Sequence, residues 1–150
     1  MTLNANGIGL MHDFEGLRLE AYLCPAKVPT IGYGNTFYEN GTKVKMGDKI
    51  TKARAEELFI NITNRVFADP IRKMFPKGNL RPNQFSALVC FAYNVGVGNL
   101  QKSTLLKKAL SNPNDPTIRN EFMKWNRAGG KELPGLTRRR KAEADLYFKA

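Results

Sequence analysis

One carboxyl group stands at the end of an apolar helical segment, in the stretch Phe14-Glu15-Gly16. The C-terminal end of a helix carries partial negative charge, and an apolar neighbour such as Phe14 desolvates the carboxyl group. Both effects favour the protonated form of Glu15, which a general acid for glycoside hydrolysis requires. The alternative is an ordinary solvated glutamate at a helix end, and position alone favours that alternative.

A thiol and a hydroxyl, Cys24 and Thr30, follow Glu15 in the chain. A thiol with a pKa of about 8.5 is mostly neutral near neutral pH, so Cys24 is a poor base unless a cation such as Lys27 lowers its pKa. A buried apolar cysteine and an ordinary strand threonine are the alternatives. We expect no disulfide between Cys24 and Cys90, since two cysteines are too few for a disulfide framework, and their spacing matches no zinc site.

Apolar spacing and turn signals predict the elements that hold these residues. Apolar residues recur at helical spacing over residues 4–14, and Gly16 is placed to end that helix. Prolines exclude helix from the stretch that follows. A strand at residues 30–34, a turn signal and a second apolar segment at residues 43–46 predict a small β-hairpin region over residues 24–50.

Helical spacing resumes at Thr51, which can cap a long helix, with Pro70 as its expected break. Pro82 suits the first position of a central core helix that Gly96 and Gly98 are expected to stop. Three shorter helices are predicted near residues 103–110, 115–126 and 137–148.

This order of elements predicts an α+β fold in a single domain over residues 1–150. A small hairpin lobe is followed by a larger helical lobe, made of residues 51–150 and the N-terminal helix, and we expect the substrate cleft between the lobes. No apolar run approaches the roughly 20 residues of a membrane span. The N-terminus lacks the layout of a signal peptide, which predicts synthesis as a soluble cytoplasmic protein.

Positive charge is the dominant feature of the composition. The 150 residues include 24 Lys and Arg against 13 Asp and Glu, a formal net charge of +11. Such a charge predicts a polyanionic partner, and nucleic acid, anionic membrane and acidic wall polymer all fit. No DNA-binding or RNA-binding motif is found, which argues against nucleic acid. Basic residues are dispersed along the chain, with one dense run at residues 138–141.

Several segments, in order along nearly the whole chain, resemble the phage lysozyme family that includes the T4 and P22 enzymes. In that family a glutamate is followed by an aspartate or cysteine and then by a threonine. Eight residues separate Glu15 from Cys24 and five separate Cys24 from Thr30, which keeps the family spacing. The other resembling segments are residues 15–22, 29–36, 84–89, 91–98, 103–106, 125–131 and 133–143.

The resemblance implies an endolysin, a muramidase that hydrolyses the β-1,4 bond between N-acetylmuramic acid and N-acetylglucosamine in peptidoglycan and lyses the host cell. It implies that Glu15 is the general acid, while Cys24 and Thr30 hold or activate the attacking water. No metal or cofactor is implied. The residues that it aligns with glycan contacts are Gly34, Asn35, Thr36, Tyr93, Asn94 and Ser103.

The same resemblance places one arginine of the group Arg138 to Arg140 against the catalytic glutamate. The other two are expected to form a solvated basic face. We interpret His12, one turn before Glu15, as a surface or boundary residue, and Trp125 as a core anchor rather than a sugar platform. Tyr93 has core filling as its alternative.

Two other functions stay open at this stage. A lytic transglycosylase would form an anhydro-muramic end in place of adding water. A catalytically impaired wall-binding protein could have arisen when cysteine replaced the more common aspartate at position 24. The resemblance further implies a monomer that binds glycan strands without stable membrane insertion. Such a protein is made in the host cytoplasm and needs a holin to reach its substrate in the periplasm.

Overall fold

Helix α1 spans Ala5–Glu15 in the structure, a computed structural model that describes residues 1–150. The side chain of Asn4 caps its start by accepting a hydrogen bond from the Gly7 amide, at 3.0 Å. Gly16 ends the helix in the left-handed conformation, φ 70°, which a residue with a side chain rarely adopts. The predicted opening helix is therefore confirmed, with each boundary one residue later.

Two units of close contacts make up the chain, and we describe each by itself. The hairpin unit is Met11–Val66, and the helical unit is Met1–Leu10 with Phe67–Ala150. Helix α1 contributes residues to both units.

The hairpin unit is built on two antiparallel strands, β1 (Arg18–Leu23) and β2 (Pro29–Gly32), with Tyr22 opposite Thr30. The sequence analysis missed β1, because Ala21 is its one buried residue and apolar alternation is therefore weak. The apolar segment at residues 43–46 was predicted to be a second strand, and this was wrong. Its contribution to sheet structure is a single bridge across the turn, from Lys43 to Phe37.

Helix α2 (Lys52–Thr63) packs on this hairpin. The Thr51 hydroxyl accepts a hydrogen bond from the Arg54 amide at 3.1 Å, which confirms the predicted cap. The core of the hairpin unit joins Leu58 and Ile62 of α2 to Ile31 of β2, and includes Ala21 and Val44. Strand β2, which carries Thr30, is therefore held in place by apolar packing against α2.

Pro70 does not end the helical path, contrary to the prediction. A five-residue π-helical turn, Asn64–Ala68, follows α2 and leads into α3 (Asp69–Met74), in whose first turn Pro70 lies. A proline is tolerated in a first turn because its missing N–H has no partner to lose there, whereas within a continuous helix its ring would clash with the preceding turn. The wider π-turn accommodates this change.

The helical unit is centred on α4 (Pro82–Val95), in which every residue from Asn83 to Ala92 is buried. It begins at Pro82, and Gly96, φ 96°, caps its end, both as predicted. Gly98 was expected to act as a second stop but lies inside a short helix, α5 (Val97–Lys102), that the sequence analysis missed.

The rest of the helical unit packs around α4. The remaining helices are α6 (Thr104–Ser111), α7 (Ile118–Met123) and α8 (Pro134–Phe148), and α8 packs against both α4 and α7. Helix α8 begins at Pro134, three residues before the start that was predicted near residue 137. A two-residue hairpin, β3 (Arg127–Ala128) and β4 (Lys131–Glu132), precedes it. The α+β class is confirmed. None of the helices has both the length and the apolar character needed to cross a membrane.

Candidate active site

Glu15 is the last residue of α1, half-buried, at the point where Gly16 turns the chain toward β1. Its neighbours differ in exposure, since Phe14 is half-buried while Asp13 is exposed. Glu15 therefore stands at the helix C-terminus, next in the chain to a half-buried phenylalanine, as the sequence predicted.

Cys24 and Thr30 are joined through one backbone carbonyl. The Val28 carbonyl accepts hydrogen bonds from the Cys24 amide at 3.1 Å and from the Thr30 hydroxyl at 2.8 Å. The chain between them turns tightly, because the Lys27 amide donates to the Cys24 carbonyl at 2.7 Å and Lys27 has a left-handed φ of 62°. The thiol is half-buried and the hydroxyl is buried. The tip of the β1–β2 hairpin thus brings a thiol and a hydroxyl to one place.

The pKa of the Cys24 thiol lies below its ordinary value. The main cause is the backbone amide of Val28; burial acts against it, while the amide of Ala26 and the Thr30 hydroxyl reinforce it. These groups stabilise the thiolate by hydrogen bonding, so the charge of Lys27, which the sequence analysis considered, is not needed as the cause. A partly exposed thiol of lowered pKa is suited to act as a base or nucleophile.

The Thr30 hydroxyl can donate its hydrogen bond to only one acceptor at a time. Its hydroxyl carries one proton, which it donates to the Val28 carbonyl at 2.8 Å in the structure. Donation to a Cys24 thiolate therefore requires the hydroxyl to rotate. In either state its oxygen keeps lone pairs that can accept a hydrogen bond from water.

Three of the predicted glycan contacts lie in the hairpin unit directly after β2. Gly34 has a left-handed φ of 85°. Asn35 is buried, and its backbone exchanges two 2.9 Å hydrogen bonds with Ile31, while its side-chain oxygen is buried without a hydrogen-bond partner. Thr36 is half-buried. These residues belong to the same unit as Glu15, Cys24 and Thr30.

The other three predicted contacts lie in the helical unit. Tyr93 is half-buried with its ring 5.0 Å from that of Phe67, and the exposed Asn94 accepts a hydrogen bond from Arg140. The buried hydroxyl of Ser103 caps α6: it accepts from the Leu106 amide at 3.0 Å and donates to the Leu100 carbonyl at 2.7 Å. These bonds favour a structural role for Ser103.

Trp125 meets Phe91 edge to face, with ring centroids 5.6 Å apart, which agrees with its interpretation as a core anchor. It also lines an open cavity of about 410 Å³ together with Ser103 and Thr104. Trp125 therefore packs in the core on one side and borders this cavity on the other.

The predicted basic face at Arg138 to Arg140 is wrong in one respect, because two of the three arginines are buried. The Nε atom of Arg139 donates to Glu143 at 3.1 Å, and a guanidinium nitrogen of Arg140 lies 3.3 Å from the same carboxylate. Arg138 is exposed. Glu143 follows Arg140 by three residues and Arg139 by four on α8, so both guanidinium groups can reach its carboxylate.

Cys90 completes this buried charged cluster, and its Sγ donates to a Glu143 oxygen at 3.3 Å. Burial raises the pKa of the Cys90 thiol well above its ordinary value. Burial also raises the pKa of Glu143 and lowers that of Arg140, since both charged forms have lost water. A thiol held neutral and closed off from solvent is suited to structure rather than to chemistry. Both cysteines are free thiols.

Sequence reasoning missed a second cluster, which surrounds His12. The His12 ring stacks on Tyr33, with centroids 3.8 Å apart, and Glu56 lies 3.4 Å from its Nε2 atom. His12 is half-buried, which agrees with a boundary residue. His12 lies on α1, Tyr33 just after β2 and Glu56 on α2, so no periodic pattern in the sequence connects the three.

A hairpin followed by helices, with a carboxyl, a thiol and a hydroxyl on α1 and the adjoining hairpin, defines a small protein of the lysozyme class. The chain belongs to the phage lysozyme family, whose model matches residues 12–143. This confirms the resemblance identified in the sequence.

Individual relatives agree with this assignment. The chain is 41% identical over 150 residues to the endolysin of Bacillus phage B103, covering 99% of this chain and 54% of that protein. It is 38% identical over 154 residues to the endolysin of Acyrthosiphon pisum secondary endosymbiont phage 1, covering 100% of each. The solved endolysin from Escherichia coli O157:H7 phage FAHEc1 is 37% identical, with a TM-score of 0.88, and the match covers 99% of this chain and 94% of that one. The chain spans about half the length of its Bacillus phage relatives.

Proposed function

We propose that this chain is an endolysin muramidase, a glycosidase that hydrolyses the β-1,4 bond between N-acetylmuramic acid and N-acetylglucosamine in peptidoglycan. The observation that carries the proposal is the set Glu15, Cys24 and Thr30, which occupies the end of α1 and the β1–β2 hairpin with the spacing of the phage lysozyme family. Relatives named as endolysins support the same activity. The proposal takes residues 1–150 as one catalytic domain.

In this proposal Glu15 donates its proton to the leaving sugar oxygen as the glycosidic bond breaks. Water attacks the anomeric carbon from the opposite face, and its proton passes to the Cys24 thiolate, while the Thr30 hydroxyl orients that water. The lowered pKa of Cys24 supports its role, because more of the thiol is ionised near neutral pH.

Recognition of the glycan is assigned from the family resemblance. We infer contacts from Gly34, Asn35 and Thr36, which directly follow β2, and from Tyr93 and Asn94 at the end of α4. Ser103 stays among the candidates through the cavity that it lines. Delivery to the wall through a holin, and action as a monomer in the periplasm, are parts of the proposal taken from the family resemblance.

Clearing of chloroform-treated Gram-negative cells by the purified chain tests the proposal. We expect the wild type to clear the suspension, and Glu15→Gln to lose about 10²- to 10⁴-fold of the rate, the usual contribution of a general acid. Asp13→Asn is the matched control, since Asp13 is an exposed carboxylate on the same helix. Equal clearing by wild type and Glu15→Gln would remove Glu15 as the acid. Anhydro-muramic ends among the products, detected by mass spectrometry, would show a transglycosylase instead.

A further inference from the structure

Three elements of the hairpin unit meet at one side-chain cluster formed by His12, Tyr33 and Glu56. His12 lies on α1, three residues before Glu15, and Tyr33 lies just after β2, three residues after Thr30. Glu56 lies on α2. The cluster therefore connects the helix that carries the candidate acid to the segment that carries the candidate hydroxyl.

The geometry of the cluster is specific. The His12 and Tyr33 rings are stacked, 3.8 Å apart and within 6° of parallel. The two oxygens of the Glu56 carboxylate are divided between these rings, because Oε1 accepts a hydrogen bond from the Tyr33 hydroxyl at 2.8 Å while Oε2 lies 3.4 Å from His12 Nε2. One carboxylate on α2 thus binds Tyr33 by a hydrogen bond and lies beside the buried Nε2 atom of His12, which makes no hydrogen bond.

Phe59, also on α2, closes the apolar side of the cluster. Its buried ring meets His12 edge-on at 4.8 Å and Tyr33 at 5.5 Å. Burial, with a smaller effect from Glu56, raises the pKa of Tyr33 to about 12. The phenol therefore stays protonated near neutral pH and keeps a proton to donate to Glu56.

We propose that Tyr33, Glu56 and His12 are positioning residues that set the direction of the Glu15 carboxyl group relative to Thr30 and Cys24. A rotation or slide of the last turn of α1 would separate the stacked rings and pull His12 from Glu56, so the cluster resists such movement. None of the three is proposed to touch substrate. The proposal rests on the muramidase function proposed above.

Tyr38 provides a matched control for Tyr33. Its hydroxyl also donates to a carboxylate, Asp48, at 2.7 Å, and its pKa is also raised to about 12. Both tyrosines belong to the hairpin unit. Asp48 is bonded to the Lys45 amide at 3.0 Å, within the same loop, so this pair does not tie α1 to β2.

The test compares kcat and KM on soluble peptidoglycan fragments, with urea unfolding of each variant measured in parallel. We expect Tyr33→Phe to lower kcat about 10-fold with KM within about twofold, because small errors in placing a catalytic group act on the chemical step. Tyr38→Phe should lose similar stability and keep kcat within about twofold. A merely structural hydrogen bond would give both variants the same kinetics.

Two substitutions of Glu56 make the test independent of Tyr33. Glu56→Gln keeps an oxygen that can accept from Tyr33 and offers an amide to His12, so kcat should stay within about threefold of the wild type. Glu56→Ala removes both contacts and should lower kcat as much as Tyr33→Phe. The double variant Tyr33→Phe with Glu56→Ala should lose no more kcat than either single variant, since the effects of substitutions within one network are not additive.

Equal kcat for Tyr33→Phe and Tyr38→Phe, or equal kcat for Glu56→Ala and Glu56→Gln, would overturn the positioning role. Failure of the proposed function gives a different result. In that case the wild type would not turn over the fragments, or Glu15→Gln would match it. Either result would overturn the muramidase proposal and the positioning role with it.

Discussion

Each unit of this chain contains a glutamate that pairs with arginine, and the pKa of the glutamate is lowered in one unit and raised in the other. In the hairpin unit, two guanidinium nitrogens of Arg54 donate to the two oxygens of Glu39, both at 2.7 Å, near the surface. The hydrogen bonds from Arg54 lower the pKa of Glu39 to about 2. In the helical unit, Glu143 faces Arg139 and Arg140 out of contact with solvent, and burial raises its pKa in spite of both cations. Loss of water therefore outweighs the attraction of the buried charges.

The two cysteines repeat this division. Cys24 at the hairpin tip has a lowered pKa because backbone amides and the Thr30 hydroxyl support its thiolate. Cys90 has a raised pKa because it is buried within α4 beside Glu143. The Cys24 thiol is thus easier to ionise than an ordinary cysteine, whereas Cys90 is hydrogen-bonded to Arg139 and Glu143 and links α4 to α8. The residue type alone does not show whether a cysteine of this chain has a lowered or a raised pKa.

The strongest test of this difference between the units is to remove the buried charge of Glu143. Glu143→Gln keeps the side-chain size but takes away the carboxylate that faces both arginines. We expect a loss of about 3–5 kcal/mol in the free energy of unfolding, the usual result of breaking a buried pair from one side. Urea unfolding measures it.

Asp145→Asn is the control for this substitution. Asp145 lies on the same helix and binds Lys141 and Arg119 at the surface, so its loss should cost less than about 1 kcal/mol. Equal losses for the two variants would show that burial does not separate the two kinds of ion pair.

The cysteine half of the comparison predicts a kinetic effect. If the Cys24 thiolate is the base, Cys24→Ala should lower the rate by about 100-fold, the lower end of the usual contribution of a general base. Cys24→Asp should restore activity and move the rise of activity with pH to lower values, because a carboxyl group ionises below a thiol. Cys24→Ser should fall below Cys24→Asp. Rates of cell-wall clearing across a pH series measure these differences.

Cys90→Ala is the paired control for the thiol series. It should reduce stability through the lost hydrogen bond to Glu143 and leave the pH profile unchanged. Full activity of Cys24→Ala would remove Cys24 from the mechanism and leave the two thiols alike in function.

Local signals predicted much of this fold. Thr51 and Pro82 act on the few residues next to them, so the starts of α2 and α4 could be placed from the sequence. Strand β1 could not, because Ala21 is its one buried residue and the apolar alternation is therefore weak. The effect of Pro70 depended on whether the chain adopted a π-turn before it, which no local pattern indicated.

The candidate site likewise has features that the sequence could predict and features that it could not. The spacing of Glu15, Cys24 and Thr30 was recognisable by resemblance, although their catalytic roles stay predictions. The pairing of Arg139 and Arg140 with Glu143 could have been inferred from their spacing on one helix, but the burial of the pair could not. The cause of the lowered pKa of Cys24 could not, because it arises from backbone amides that the hairpin turn brings to the sulfur.

The smallest expected effect concerns the pair of Glu39 with Arg54 near the surface of the hairpin unit. Because the pKa of Glu39 is about 2 in the folded chain and about 4.3 when unfolded, its pair with Arg54 stabilises the fold above the unfolded pKa. That contribution is lost as pH falls from the unfolded value through the folded one. The side chains are 28% and 35% exposed, so the contribution is on the order of 1 kcal/mol after solvent screening. Urea unfolding of Glu39→Gln and wild type should therefore differ by about this amount at neutral pH and converge toward pH 2. A gap that stayed constant over that range would mean that Glu39 acts through packing and not through its charge.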